Sequence, residues 1–169
     1  GLAWAVHPFL AVTKRVETDY AVVEGWVSLA VVGVAAKAIS NAEAPLVFVT
    51  GGPVWGTCAY TTDYNTAAHV GYTRLLKAGV AKALLRKVPC REHDPDRTYS
   101  AALALRDYLV EHDLHPKAIN VLTESVHARR SRLLFQKALG TEIQVGIIAV
   151  PPSDYPANRW WMYSEGEKD

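Results

Sequence analysis

Asn120-Val121-Leu122-Thr123-Glu124-Ser125-Val126-His127-Ala128-Arg129-Arg130 reads as a buried strand, a short polar turn and the start of a helix. Ser125 is of the type that caps helices, because its side-chain oxygen can accept from an early helix N–H. His127, Arg129 and Arg130 then fall in the first two turns. That placement is unusual, since a helix N-terminus already carries partial positive charge and disfavours more. An anion bound among these residues explains them. The competing explanation is that Glu124, or another carboxylate, neutralises the cluster with no ligand. Arg129 is set apart, because an adjacent helix position points elsewhere.

The same alternation of apolar run, turn and helix extends outward in both directions. Strands are expected over residues 19–23, 46–49, 83–88, 118–122 and 143–150. Helices are expected over 27–39, 66–78 and 98–111, and from the opening turn to Gly140. Gly79 and Gly140 stand where a helix end favours glycine. Ala101, Ala102, Leu105 and Leu109 recur at helical spacing. Arg159-Trp160-Trp161 reads as the start of a last helix. Strands alternating with helices imply a parallel sheet covered on both faces. The expected fold is therefore α/β, a Rossmann-like three-layer sandwich with a mainly parallel sheet of about five strands.

Residues 19–169 read as one domain, without repeat, linker or low-complexity stretch. Residues 1–18 read as an N-terminal arm. Their apolar start, Gly1 to Val12, is too short for a membrane span, which needs about 20 apolar residues. It reads as the stub of a removed membrane anchor or as a greasy arm that packs on the domain, and the two readings are compatible. Half of the chain is hydrophobic, and 18 basic side chains face 17 acidic ones, a net charge of +1. That balance argues against a nucleic-acid partner, because nothing supplies a broad basic field. Cys58 and Cys90 lack metal-ligand spacing and do not suggest a disulfide scaffold; whether they pair is left open.

In an open parallel sheet, ligands bind beyond the carboxyl ends of the strands. Polar residues gather there: Glu24 after the first strand, Thr50-Gly51-Gly52 after the second, Glu92 to Arg97 after the third, and Thr123, Glu124, Ser125 and His127 after the fourth. Gly51 and Gly52 let a backbone approach a ligand and present N–H groups to an anion, although an ordinary tight turn needs the same residues. Arg97 can pair with a phosphate or carboxylate, and Thr98 can cap its helix. The alternative is Asp94 or Asp96 as the cap, with Arg97 in a surface ion pair. Glu24 is a candidate general base or a hydrogen-bond anchor, and otherwise an arginine partner. His127 is a candidate acid, base or donor to an anion. No GxGxxG follows the first strand and no P-loop is present, so NAD and ATP are poorly supported and no cofactor is assigned. His7, His69, His93, His112 and His115 are scattered, and no metal site is assigned. Trp26, Trp55, Trp160 and Trp161 fit core or interface packing better than a site rim.

These residues resemble the ElyC/SanA/YdcF family, whose shared domain is a domain of unknown function. The resemblance spans residues 19–151. It rests on Asp19-Tyr20-Ala21-Val22-Val23-Glu24-Gly25, Thr50-Gly51-Gly52, Arg97-Thr98-Tyr99, and Thr123, Ser125, His127 and Arg130, in that order. Glu24-Gly25-Trp26 departs from the glycine-rich turn usual after the first strand, and Asp63, Tyr64 and Asn65 stand where the family carries an acidic residue. The resemblance implies a Rossmann-like domain, often behind an N-terminal membrane anchor, in bacterial envelope biogenesis. The expected function is an envelope enzyme that binds an anionic small molecule, phosphorylated or lipid-linked and glycan-like, for hydrolysis or group transfer. Arg97, His127 and Arg130 would hold the anion; Thr50, Gly51, Gly52, Thr98, Thr123 and Ser125 would line its site; Glu24 would be the base. The alternatives are a non-catalytic module for a nucleotide-like or adenosyl metabolite, and an envelope scaffold that docks through Trp160-Trp161 and the N-terminal arm. Oligomeric state is not legible.

Overall fold

Runs such as Tyr20-Ala21-Val22-Val23 and Val47-Phe48-Val49 are apolar at every position, which suits strands covered on both faces. In the computed structural model, which describes residues 13–18, 20–41, 46–54, 65–91 and 95–151, they form a five-stranded sheet. The strands are β1 (Tyr20–Glu24), β2 (Leu46–Gly51), β3 (Leu85–Pro89), β4 (Ala118–Glu124) and β5 (Gln144–Val150). The helices are α1 (Leu29–Asn41), α2 (Ala67–Lys77), α3 (Arg97–Glu111) and α4 (Ala128–Leu139). Strand order is β3-β2-β1-β4-β5, and every pairing between strands is parallel. The Rossmann-like three-layer fold expected from the alternation is the one observed.

Alternate strand residues point to opposite faces and divide the interior into two cores. Ala21, Val23, Val47 and Val49 pack with Val31, Ala35 and Ile39 of α1 and Leu75 of α2. Val22, Phe48, Ile119 and Val121 pack with Ala102, Leu105 and Leu109 of α3 and Phe135 and Ala138 of α4. The first two helices therefore cover one face and the last two cover the other. The chain reverses its winding between β1 and β4, which is where such sheets open a crevice.

The helix starts differ from expectation. Of the caps weighed for α3, Asp96 rather than Thr98 takes the role, and its carboxylate accepts from the Tyr99 N–H at 3.2 Å. Ser125 is not a cap at all. Strand β4 runs on to Glu124, a single 3-10 turn follows over Ser125–His127, and α4 begins only at Ala128. Glu124 turns to the opposite face, where its Oε1 accepts from the Ser28 N–H at 2.9 Å ahead of α1.

The described part of the arm docks on the outer edge of β5. Lys14 and Ile147 exchange backbone hydrogen bonds at 2.8 Å in an antiparallel bridge. The Asn120 side chain holds Val16 from both sides, donating to its carbonyl at 2.8 Å and accepting from its N–H at 2.9 Å. Gly146 makes this crossing feasible, because a Cβ there would lie 2.2 Å from Asn120 Oδ1 and 2.9 Å from Lys14 O. The arm thus covers backbone groups that an open edge would expose. Readings that fall on residues 1–12, Asp19, Trp55, Cys58, Asp63, Tyr64, Glu92, His93, Asp94 and Arg159-Trp160-Trp161 lie outside the described residues. Among the described residues, no helix is long and apolar enough to cross a membrane.

Candidate functional site

Glu24 ends the central strand β1 on the face that Val22 shares with α3 and α4. Its carboxylate is therefore directed into protein rather than water, and the residue is 2 % exposed. Ser131 Oγ, in the first turn of α4, donates to Oε2 at 2.8 Å. Burial pushes the carboxyl above its ordinary value. The Thr123 and Ser131 hydroxyls, the Trp26 indole and the charge of His127 oppose that shift without reversing it. A carboxyl shifted in this direction keeps its proton to higher pH than a free one and is suited to hold or move a proton.

Thr50 stands in register with Glu24 on β2 and is fully buried. Its hydroxyl has no hydrogen-bond partner among the described residues; the hydroxyls of Ser100, Thr123 and Ser125, also buried, likewise lack a well-aligned one. Buried polar groups in folded proteins are nearly always paired, so this local concentration calls for an explanation. Next to Thr50, Gly51 has φ +153°, and a Cβ on it would lie 2.6 Å from that of Ala67. Gly25 is tighter still, since its Cβ would meet Ala67 O at 2.0 Å. The glycines of both turns therefore let the start of α2 pack against the strand ends, a role that the expectation of ligand approach did not include.

Glu24, Thr50, Gly51 and Gly52 form one wall of a cavity of about 280 Å3. Arg97, Thr98 and Ala101 at the start of α3, with His127 and Arg130 at the start of α4, form the other. Trp26 lies at its rim, 41 % exposed and edge-on to the His127 ring at 4.9 Å. Arg97 donates to the Pro53 carbonyl and so ties α3 to the turn after β2. Arg130 Nη2 donates to Asp96 Oδ1 at 3.2 Å, in a pair exposed to solvent. The carboxylate that meets the basic cluster is therefore the cap of α3. Of the carboxylates left open from sequence it is thus another, not Glu124, which is engaged on the other face.

Eight of the ten residues expected at the site line this cavity: Glu24, Thr50, Gly51, Gly52, Arg97, Thr98, His127 and Arg130. Thr123 and Ser125 are buried nearby but do not line it. Sequence reasoning passed over Ser131 and Ser100, and it ranked core or interface packing above the rim position that Trp26 occupies. Ser131 had a signal, because it falls on the buried stripe Ala128, Ser131, Phe135 and Ala138 of an otherwise basic, polar helix. Among the described residues the other histidines stay apart: His69 lies beside Lys87 at 3.2 Å, and His115 pairs with Asp113 at 2.7 Å. Among the described residues, no group of three or more metal-ligand side chains is present.

No protein-family model, no curated protein and no solved structure matches the chain.

Proposed function

We propose that the cavity beyond β1 and β2 is the active site of an enzyme that acts on a small anionic molecule, by hydrolysis or group transfer. The carrying observation is Glu24, a carboxyl buried in the cavity wall and raised above its ordinary value. A buried carboxyl costs stability, so its presence calls for a purpose, and proton transfer is the purpose that a raised value serves best. Arg97, His127 and Arg130 supply positive charge at the mouth, and the N-termini of α3 and α4 add partial positive charge. Thr50 and the backbone of Gly51 and Gly52 offer hydrogen bonds to the bound molecule. The resemblance to the ElyC/SanA/YdcF family adds the proposal of a bacterial envelope setting, with a membrane anchor in the full-length protein and a phosphorylated or lipid-linked, glycan-like substrate. Glu24, a buried carboxyl in the cavity wall, favours chemistry over the adenosyl-binding module, for which a long apolar slot beside β1 would be expected. Trp160-Trp161, a docking element of the scaffold reading, lies outside the described residues.

Thermal unfolding in inorganic phosphate tests the anion site. A ligand at about one hundred times Kd stabilises the native state by about 2.7 kcal/mol. The wild-type Tm rises with phosphate, whereas Arg97→Ala and Arg130→Ala rise less. Equal stabilisation of all three proteins removes both arginines from the site.

A further inference from the structure

The interior of the cavity and its mouth differ in charge. Glu24 contributes a carboxylate to the interior, and among the described residues no cation is in ion-pair contact with it. The nearest cationic side chains have other partners: Arg97 reaches the Pro53 carbonyl and Arg130 reaches Asp96. The His127 ring stands edge-on to Trp26. Ser131 donates to Oε2, and the other groups that favour the charged carboxylate from close by are the neutral Thr123 hydroxyl and Trp26 indole and the His127 ring, none of them in ion-pair contact. Neutral hydroxyl donors offset part of the cost of burying a carboxylate, whereas a cation in contact offsets far more.

We infer that the ligand is a small zwitterion, with an ammonium group against the Glu24 carboxylate in the interior and an anionic group at Arg97, His127 and Arg130. An ammonium carries three hydrogens and needs several acceptors. The Glu24 carboxylate supplies one. Thr50 Oγ1, fully buried, on the cavity wall and without a partner among the described residues, supplies a second. A ligand ending in a hydroxyl would need only neutral acceptors at this point, so the carboxylate is the feature that selects for charge. This rests on the reading of the mouth as an anion site, and the experiment separates the two.

NMR-detected titration of the full chain uses three probes: inorganic phosphate, O-phosphoethanolamine, and 2-hydroxyethyl phosphate, in which a hydroxyl replaces the ammonium. The wild type is expected to bind O-phosphoethanolamine about tenfold more tightly than the hydroxyl compound. Glu24→Gln, its fold checked by its amide spectrum, is expected to bind the two alike, and Thr50→Val to narrow the difference. Equal affinities in the wild type, or a preference that survives Glu24→Gln, overturn the zwitterion while leaving the anion site standing. If no phosphate compound binds, the anion site and the zwitterion fall together.

Discussion

Glu24 shows how one side chain can weaken a fold and equip a site. Its carboxyl value is raised in the folded protein, so folding takes up a proton. The stability that this group contributes is therefore present below its unfolded value near 4.5 and is lost as pH rises through the folded value. Glu24→Gln removes the titration and keeps an oxygen that can accept from Ser131. Its Tm is expected to exceed that of the wild type at neutral pH by about 2–4 °C, the shift that ~1 kcal/mol produces in a domain of this size. The gap should close as pH falls towards 4.5. Melting curves across pH measure it, and a gap independent of pH would show that Glu24 does not titrate abnormally. Glu24 was legible as a site residue because an isolated carboxylate follows an apolar run. Its partner Ser131 was not, because a serine in a helix gives no sign of what it faces across more than a hundred residues of chain.

Helices α3 and α4 carry the cationic side of the cavity, so their seating decides the site's shape. Phe135 is fully buried in the core that joins α3, α4 and the sheet. Phe135→Ala is expected to cost about 3–5 kcal/mol, a large part of a domain's stability, measurable by denaturant unfolding. A loss below about 1 kcal/mol would mean that α4 is not anchored through this residue. Asp96 has two tasks, capping α3 and accepting from Arg130. The elements themselves were legible from period and glycine placement. Their starts were less so: Ser125 and Thr98 are good cap types, but the chain continued β4 past one and placed an equally good Asp96 ahead of the other. Cap preference identifies candidates, and strand pairing decides among them.

At the scale of the whole molecule, alternation of strands and helices announced the fold class, but not the strand order or which helices share a face. Those depend on pairings between distant segments, such as Ala21 with Asn120, that leave no local trace. The docked arm is of the same kind: it depends on Asn120 and Gly146 together, residues that read singly as ordinary strand positions. Gly146→Val places a side chain where Asn120 and the Lys14 carbonyl now sit. Hydrogen exchange should show the Lys14 and Val16 amides losing protection while β1 and β4 keep theirs. Unchanged protection at Lys14 would detach the arm's docking from Gly146. The convergence of four turns on one cavity was legible, because any parallel sheet gathers its strand ends along one edge. What the sequence hid was which polar groups lie within reach of one another and which point away, as Glu124 does.

The most direct measurement is a carbon-detected NMR titration of the Glu24 carboxyl with and without saturating inorganic phosphate. Glu24 should titrate well above 4.5, and phosphate among Arg97, His127 and Arg130 should push it higher still, because a neighbouring anion disfavours the carboxylate. A carboxyl that titrates at its ordinary value and does not respond to phosphate would contradict both the proton-transfer role and the anion site.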